Sequence, residues 1–208
     1  GPAERDRRTR PLNRPVELTA RLVLILGTFA AAPAVGVSME RLNAGLPDRG
    51  QWRNGFALAD IDGDGHLDLI HGPPRRGRTP PEVFLGTGDG RFTAARSLRF
   101  ASLPFDYGDA AAADLDGDGR IDLAFAVHLG GVAALLARDD GDFTTVARGL
   151  DRLPAGEAGF SSRELAVGDW NSDGRLDLVA LGEGPARGGR HPRRGMAVFL
   201  GGPDGFER

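Results

Sequence analysis

Four aspartates fall within the nine residues DIDGDGHLD: Asp60, Asp62, Asp64 and Asp68. Carboxylates this close repel one another unless a cation or a set of hydrogen-bond donors takes up their charge. Oxygen donors at alternating positions of a glycine-bearing loop suit a hard cation. Calcium, which accepts six to eight oxygens, fits better than magnesium, which keeps waters in a small octahedral shell. The alternative is an acidic hairpin turn that holds no ion.

The cluster recurs at fixed spacing. DLDGDGRID supplies Asp114, Asp116, Asp118 and Asp122, and DWNSDGRLD supplies Asp169, Asn171, Asp173 and Asp177. The starts at Asp60, Asp114 and Asp169 lie 54 and 55 residues apart, which an accidental acidic turn would not do. Glycine holds the sixth position each time, as Gly65, Gly119 and Gly174. There it permits a sharp turn. The seventh position of a calcium loop contributes its backbone carbonyl, so its side chain is free to vary; here it is His66, Arg120 or Arg175. The third loop, with Asn171 and Ser172, carries less charge and should hold a cation more weakly. An EF-hand does not fit. Its twelfth position needs a bidentate glutamate, and His71, Phe125 and Ala180 stand there.

The elements that must position these loops are strands. The loops run into LDLIHG, IDLAFAV and LDLVAL and follow GFALAD, AAAAD and ELAVGD, all short alternating or apolar runs. A second signature follows each loop: VFLGTGDGRF, ALLARDDGDF and AVFLGGPDGF, an apolar strand, a Gly/Asp turn and then Phe92, Phe143 or Phe206. One repeat therefore reads as four antiparallel strands, and four-stranded units at a period near 50 read as propeller blades.

With D-x-D-x-D-G-x-x-D followed by L-G-x-G-D-G-x-F, the chain resembles the FG-GAP or VCBS repeat, which builds calcium-binding β-propellers similar to the head of integrin α chains. The resemblance covers roughly residues 40–208. It implies an all-β fold of β-propeller blades in three full repeats, to which one of two readings of residues 16–50 adds an N-terminal half blade. It also implies up to three Ca²⁺ ions. The ligands would be Asp60, Asp62, Asp64, the carbonyl of His66, and Asp68. The second loop would use Asp114, Asp116, Asp118, the carbonyl of Arg120, and Asp122. The third would use Asp169, Asn171, Asp173, the carbonyl of Arg175, and Asp177. Asn171 departs from the family pattern. Three repeats also fall short of a ring, since propellers close with four to eight blades. An open arc would expose apolar faces and strand edges.

The expected organisation is a basic tail or cloning-derived segment over 1–15, a half blade or a signal or membrane-anchor segment over 16–50, and repeats over 51–208, divided at about 51–105, 106–160 and 161–208. Two readings of the second part stay open. LVLILGTFAAAPAVGVSM over 22–39 is uncharged behind six arginines, as in an export signal or anchor. Yet LILGTF also matches FLGTGDGRF, and SMERLNAGLP matches the blade ends ARSLRFASLP and VARGLDRLP. Both readings imply an extracytoplasmic location: secreted, periplasmic or membrane-attached.

The remaining composition narrows the function. The 208 residues suffice for a packed core, 32 are glycine, and the net charge is −3. That charge argues for no particular class of partner, and no feature points to nucleic acid. With no cysteine, disulfides, thiol catalysis and cysteine-ligated zinc are excluded. His66, His71, His128 and His191 make no metal-ligand spacing and read as surface residues. Asp106 and Asp109 read as turn residues, not as an acid/base pair. The expectation is a binding module, not an enzyme, whose partner is another protein or further copies of itself. Arginine-rich loops at 72–82 (Arg75, Arg76, Arg78) and 182–195 (Arg187, Arg190, Arg193, Arg194) would lie opposite the aspartate loops. They could take an anionic ligand or a glycan. Trp52 and Tyr107 fall on that same face. The alternatives are an accessory subunit attached to a membrane complex through its N-terminal segment, and a carbohydrate-binding propeller or part of a hydrolase.

Overall fold

Short apolar runs flank each aspartate loop, and each run is a strand. The computed structural model describes residues 38–50, 52, 55–72, 80–102, 108–128, 130–150, 161–182 and 195–207. The chain divides into two units, Gly1–Met39 and Glu40–Arg208, and every strand among the described residues belongs to the second. The first sheet holds β1 (Phe56–Ala59), β2 (Asp68–His71), β3 (Glu82–Gly86) and β4 (Phe92–Ala94). The second holds β5 (Ala110–Ala113), β6 (Asp122–Val127), β7 (Gly131–Leu136) and β8 (Thr145–Val146). The third holds β9 (Ser162–Gly168), β10 (Asp177–Gly182), β11 (Met196–Gly202) and β12 (Gly205–Glu207). Each sheet is antiparallel with its strands in sequence order, as the repeat predicts, and the described residues form no helix. Among them no helix is long and apolar enough to cross a membrane.

Burial follows from how the sheets face one another. β6 is buried at every position because its sheet is covered on both faces. On one side Leu123, Phe125 and Leu135 pack with Ile70 and Val83 of the first sheet. On the other, Ala124, Val132 and Ala134 pack with Leu178 and Phe199 of the third. The flanking sheets are covered on one face, and their strands alternate instead. Along β11, Ala197 and Phe199 point in while Met196, Val198 and Leu200 point out. β1 buries Ala57 and Ala59 and exposes Phe56 and Leu58.

A second contact links the repeats. The segment leading into each repeat accepts a hydrogen bond from the outer strand region of that same repeat, and in the first two repeats it forms a parallel bridge there. Phe92 N donates to Ala44 O at 2.9 Å, Phe143 N to Arg99 O at 2.8 Å, and Phe206 N to Arg148 O at 2.9 Å. Ala44, in the blade-end match SMERLNAGLP, thus holds the place that Arg99 and Arg148 hold further along the chain. Phe100 stacks on Phe143 at 5.6 Å, and Arg99 forms an ion pair with the buried Asp142 carboxylate.

One expectation needs correction. His71 is buried, not a surface residue, because Trp52 packs edge-on over it with ring centroids 5.0 Å apart and also contacts Phe84. Trp52 is therefore a packing residue of the first sheet. Asp109 acts structurally: its carboxylate accepts from Ala110 N at 3.0 Å and Leu165 N at 3.2 Å, tying the second sheet to the third. Asp106, Tyr107, His191, all seven arginines singled out in the basic loops, and residues 22–37 lie outside the described residues.

Candidate metal centre

Each aspartate loop is closed by the antiparallel pairing of its two flanking strands. Ala59 is opposite Asp68, Ala113 opposite Asp122, and Gly168 opposite Asp177. The eight residues between must turn sharply. The sixth-position glycines take φ of +87°, +87° and +84°, the left-handed region that glycine enters without a Cβ penalty. The fourth position is left-handed too. Gly63 and Gly117 occupy it in the first two loops, but Ser172 holds it in the third at φ +62°, where a side chain is strained.

Within each loop the first carboxylate organises the backbone. Asp60 Oδ1 accepts from Gly63 N at 2.8 Å and Asp64 N at 3.0 Å, and its Oδ2 accepts from Gly65 N at 2.8 Å. Asp114 repeats this with Gly117, Asp118 and Gly119 at 2.8, 3.0 and 2.8 Å. Asp169 accepts from Asp173 N at 3.1 Å and Gly174 N at 2.9 Å. The third-position oxygens of Asp62, Asp116 and Asn171 accept from the fifth-position N–H, and fifth-position Asp64, Asp118 and Asp173 accept from the seventh. The outcome is a curled loop with its acidic side chains drawn toward one another.

The ninth position behaves differently. Asp68, Asp122 and Asp177 are fully buried. Each carboxylate bridges the loop start and the third strand of its sheet. Asp68 accepts from Ile61 N and Gly86 N, both at 2.8 Å. Asp122 accepts from Leu115 N at 2.9 Å and Ala137 N at 2.7 Å, and Asp177 from Trp170 N at 2.9 Å and Gly201 N at 2.8 Å. This bridge was not apparent in the nine-residue motif. Its signal lies downstream, in the L-G of FLGTGDG and FLGGPDG. A Cβ on Gly86 would sit 2.2 Å from Leu67 O, and one on Gly201 2.3 Å from Leu176 O.

Burial sets the electrostatics. It pushes the Asp122 carboxyl up to about 6, against two backbone donors that pull it down and the charges of Asp116 and Asp118 that add to the rise. Burial raises Asp68 and Asp116 as well, each further raised by neighbouring aspartates. Asp173 is lowered, first by the Arg175 N–H it accepts. The seventh-position side chains are less free than their variability suggests. Arg120 pairs with Asp118 and reaches Asp139 at 3.0 Å, while Arg175 Nε donates to Gly201 O at 3.1 Å.

The donor set suits a cation. Carboxylate oxygens of Asp60, Asp62 and Asp68 lie within 4.8 Å of one another, as do those of Asp114, Asp116 and Asp118. These two groups could hold a metal ion. No third such group forms among the described residues: Asn171 offers an amide in place of a carboxylate, and its Nδ2 donates to Asp173 Oδ2 at 3.1 Å.

A family model described as the FG-GAP-like repeat matches residues 75–125 and 114–180, which together span just over half of the chain. No curated protein matches the chain.

Proposed function

Because the chain belongs to the FG-GAP-like repeat family, we propose that it is a calcium-stabilised β-propeller module that works by binding and not by catalysis. The observation that carries this reading is the twofold gathering of three carboxylates inside loops of the same curl, at Asp60–Asp68 and Asp114–Asp122. Asp60, Asp62, Asp64 and Asp68 would hold one ion with the His66 carbonyl. Asp114, Asp116, Asp118 and Asp122 would hold another with the Arg120 carbonyl. Asp169, Asn171, Asp173 and Asp177 would hold a third more weakly with the Arg175 carbonyl. Calcium supplies positive charge that offsets the mutual repulsion of the carboxylates and the burial of the ninth-position aspartate. The role is structural, for each aspartate loop links two strands and is stapled to a third.

An extracytoplasmic location accords with this. Sites of the extracellular kind bind calcium with dissociation constants on the order of 10⁻⁴–10⁻³ M and fill where calcium is millimolar. The scaffold would then present its connecting loops to a protein or ligand, as loops on rigid frameworks commonly do.

Thermal unfolding in millimolar calcium and in EDTA tests the reading. Calcium raises the melting temperature of the native chain. Asp64→Ala, at an exposed position whose carboxylate accepts one backbone N–H, reduces that rise while leaving the EDTA value nearly unchanged. Equal melting of the native chain in the two buffers would remove calcium from its function.

A further inference from the structure

The three loops share their acidic frame but not the side chain that stands beside it at the seventh position. In the second loop one residue holds both oxygens of the fifth-position carboxylate. Asp118 Oδ1 accepts from Arg120 N at 2.9 Å, and Oδ2 is paired with the Arg120 guanidinium. The same guanidinium reaches Asp139, in the connection between β7 and β8, at 3.0 Å. Asp118 is also one of the three carboxylates gathered in that loop, so a cation and Arg120 compete for it. In the third loop Arg175 anchors its Nε on Gly201 O at 3.1 Å and comes within 3.6 Å of Asp173 Oδ2. The first loop has His66 there. Its ring lies on the turn between β3 and β4, where a Cβ on Gly88 would stand 2.5 Å from it. Asp64 accepts the His66 backbone N–H at 2.8 Å and forms no ion pair among the described residues.

We propose that Arg120 is a built-in counter-cation for the second loop, and that the seventh-position residue sets how tightly a loop takes calcium. The first loop has no guanidinium to displace from Asp64 and binds more tightly than the second. Exchange at the second loop is favoured from both sides. A partly exposed ion pair contributes little, whereas a divalent ion is attracted by several carboxylates at once. Arg120 Nε is buried without a hydrogen-bond partner, so the pose that holds Asp118 leaves one donor unmatched. A guanidinium released from Asp118 still has Asp139 to pair with. The order of affinities rests on the reading of these loops as calcium sites. The counter-charge does not, because it acts in EDTA.

Calcium titration by calorimetry and thermal melting of the native chain, Arg120→Gln and His66→Arg read the result. Arg120→Gln keeps a polar side chain but removes the charge, and the second loop then binds calcium about tenfold more tightly, the effect of one unit charge a few ångströms from a divalent ion in a water-like dielectric. His66→Arg weakens the first loop by a similar factor. Melting separates a counter-charge from a packing role. In EDTA, Arg120→Gln melts about 1–3 °C below the native chain, because Asp118 has lost its partner. In saturating calcium that deficit closes, because the ion has taken the arginine's place. Should Arg120→Gln fail to fold, Arg120→Met replaces it. An equal deficit in both buffers would make Arg120 a packing residue and overturn the proposal. Calcium binding with unchanged affinity in both variants overturns it too and leaves the calcium reading standing. No binding by any of the three chains removes the calcium reading itself, and the order of affinities with it.

Discussion

Asp122 is fully buried, and two buried backbone N–H groups depend on its oxygens. Donors and burial pull its protonation in opposite directions, and burial wins, leaving the carboxyl at about 6. The folded protein then binds a proton more tightly than the unfolded chain, whose value is 3.8. Between those values the native state carries the extra proton, so without metal this group makes folding less favourable as pH rises through about 6. In EDTA, denaturant unfolding of the native chain and of Asp122→Asn tests this. The native chain's stability relative to the variant increases as the pH falls from about 6 and stops increasing near the unfolded value of 3.8. A constant difference would mean that Asp122 is ionised throughout. The curl of the aspartate loops was legible in the sequence because it is local: nine consecutive residues fix which side chains can converge. The staple made by the ninth aspartate was not, because its second donor, Gly86, Ala137 or Gly201, lies 15 to 24 residues away on another strand.

At the scale of elements, hairpins and straps differ in the same way. The four-strand repeat could be read from alternating runs and Gly/Asp turns, since antiparallel neighbours are joined by short connections. The straps, which pair Arg99 with Phe143 and Arg148 with Phe206, leave no local pattern. Their trace is a resemblance between blade ends, which shows that a segment repeats without showing what it touches. Gly149 shows how closely the strap lies on the outer strand. Its φ is +80°, and a Cβ there would lie 1.5 Å from the Phe206 carbonyl oxygen; Gly45 stands in the same relation to Phe92, at 1.7 Å. Gly149→Ala must therefore strain the backbone and push the strap off β12. A loss of about 2–4 kcal/mol is expected, combining a disallowed φ with overpacking. Because the contact is backbone to backbone, calcium should not restore it. Chemical denaturation in saturating calcium measures the loss, and a loss below about 0.5 kcal/mol, the range of ordinary surface substitutions, would mean that the strap does not hold the third sheet in place.

For the molecule as a whole, the three loops share a curl but not a charge. The first two gather three carboxylates apiece, while the third puts an amide at Asn171 and a strained serine at Ser172 where the others have aspartate and glycine. A cation gains less there, for one negative charge is missing and the loop must hold a left-handed serine. Calcium titration by calorimetry should therefore saturate two sites first and a third at higher concentration. Asn171→Asp should draw the third toward the other two. The linked stability follows from mass action, about 1.4 kcal/mol for each site at ten times its dissociation constant. Two filled sites then contribute about 3 kcal/mol, which for a domain of this size corresponds to roughly 6–12 °C in melting temperature. Three sites of equal affinity in the native chain would show that neither the amide nor the serine weakens the last loop. A calcium-induced shift well below that range, with two ions bound, would mean that the unfolded chain's aspartates compete for the same ions.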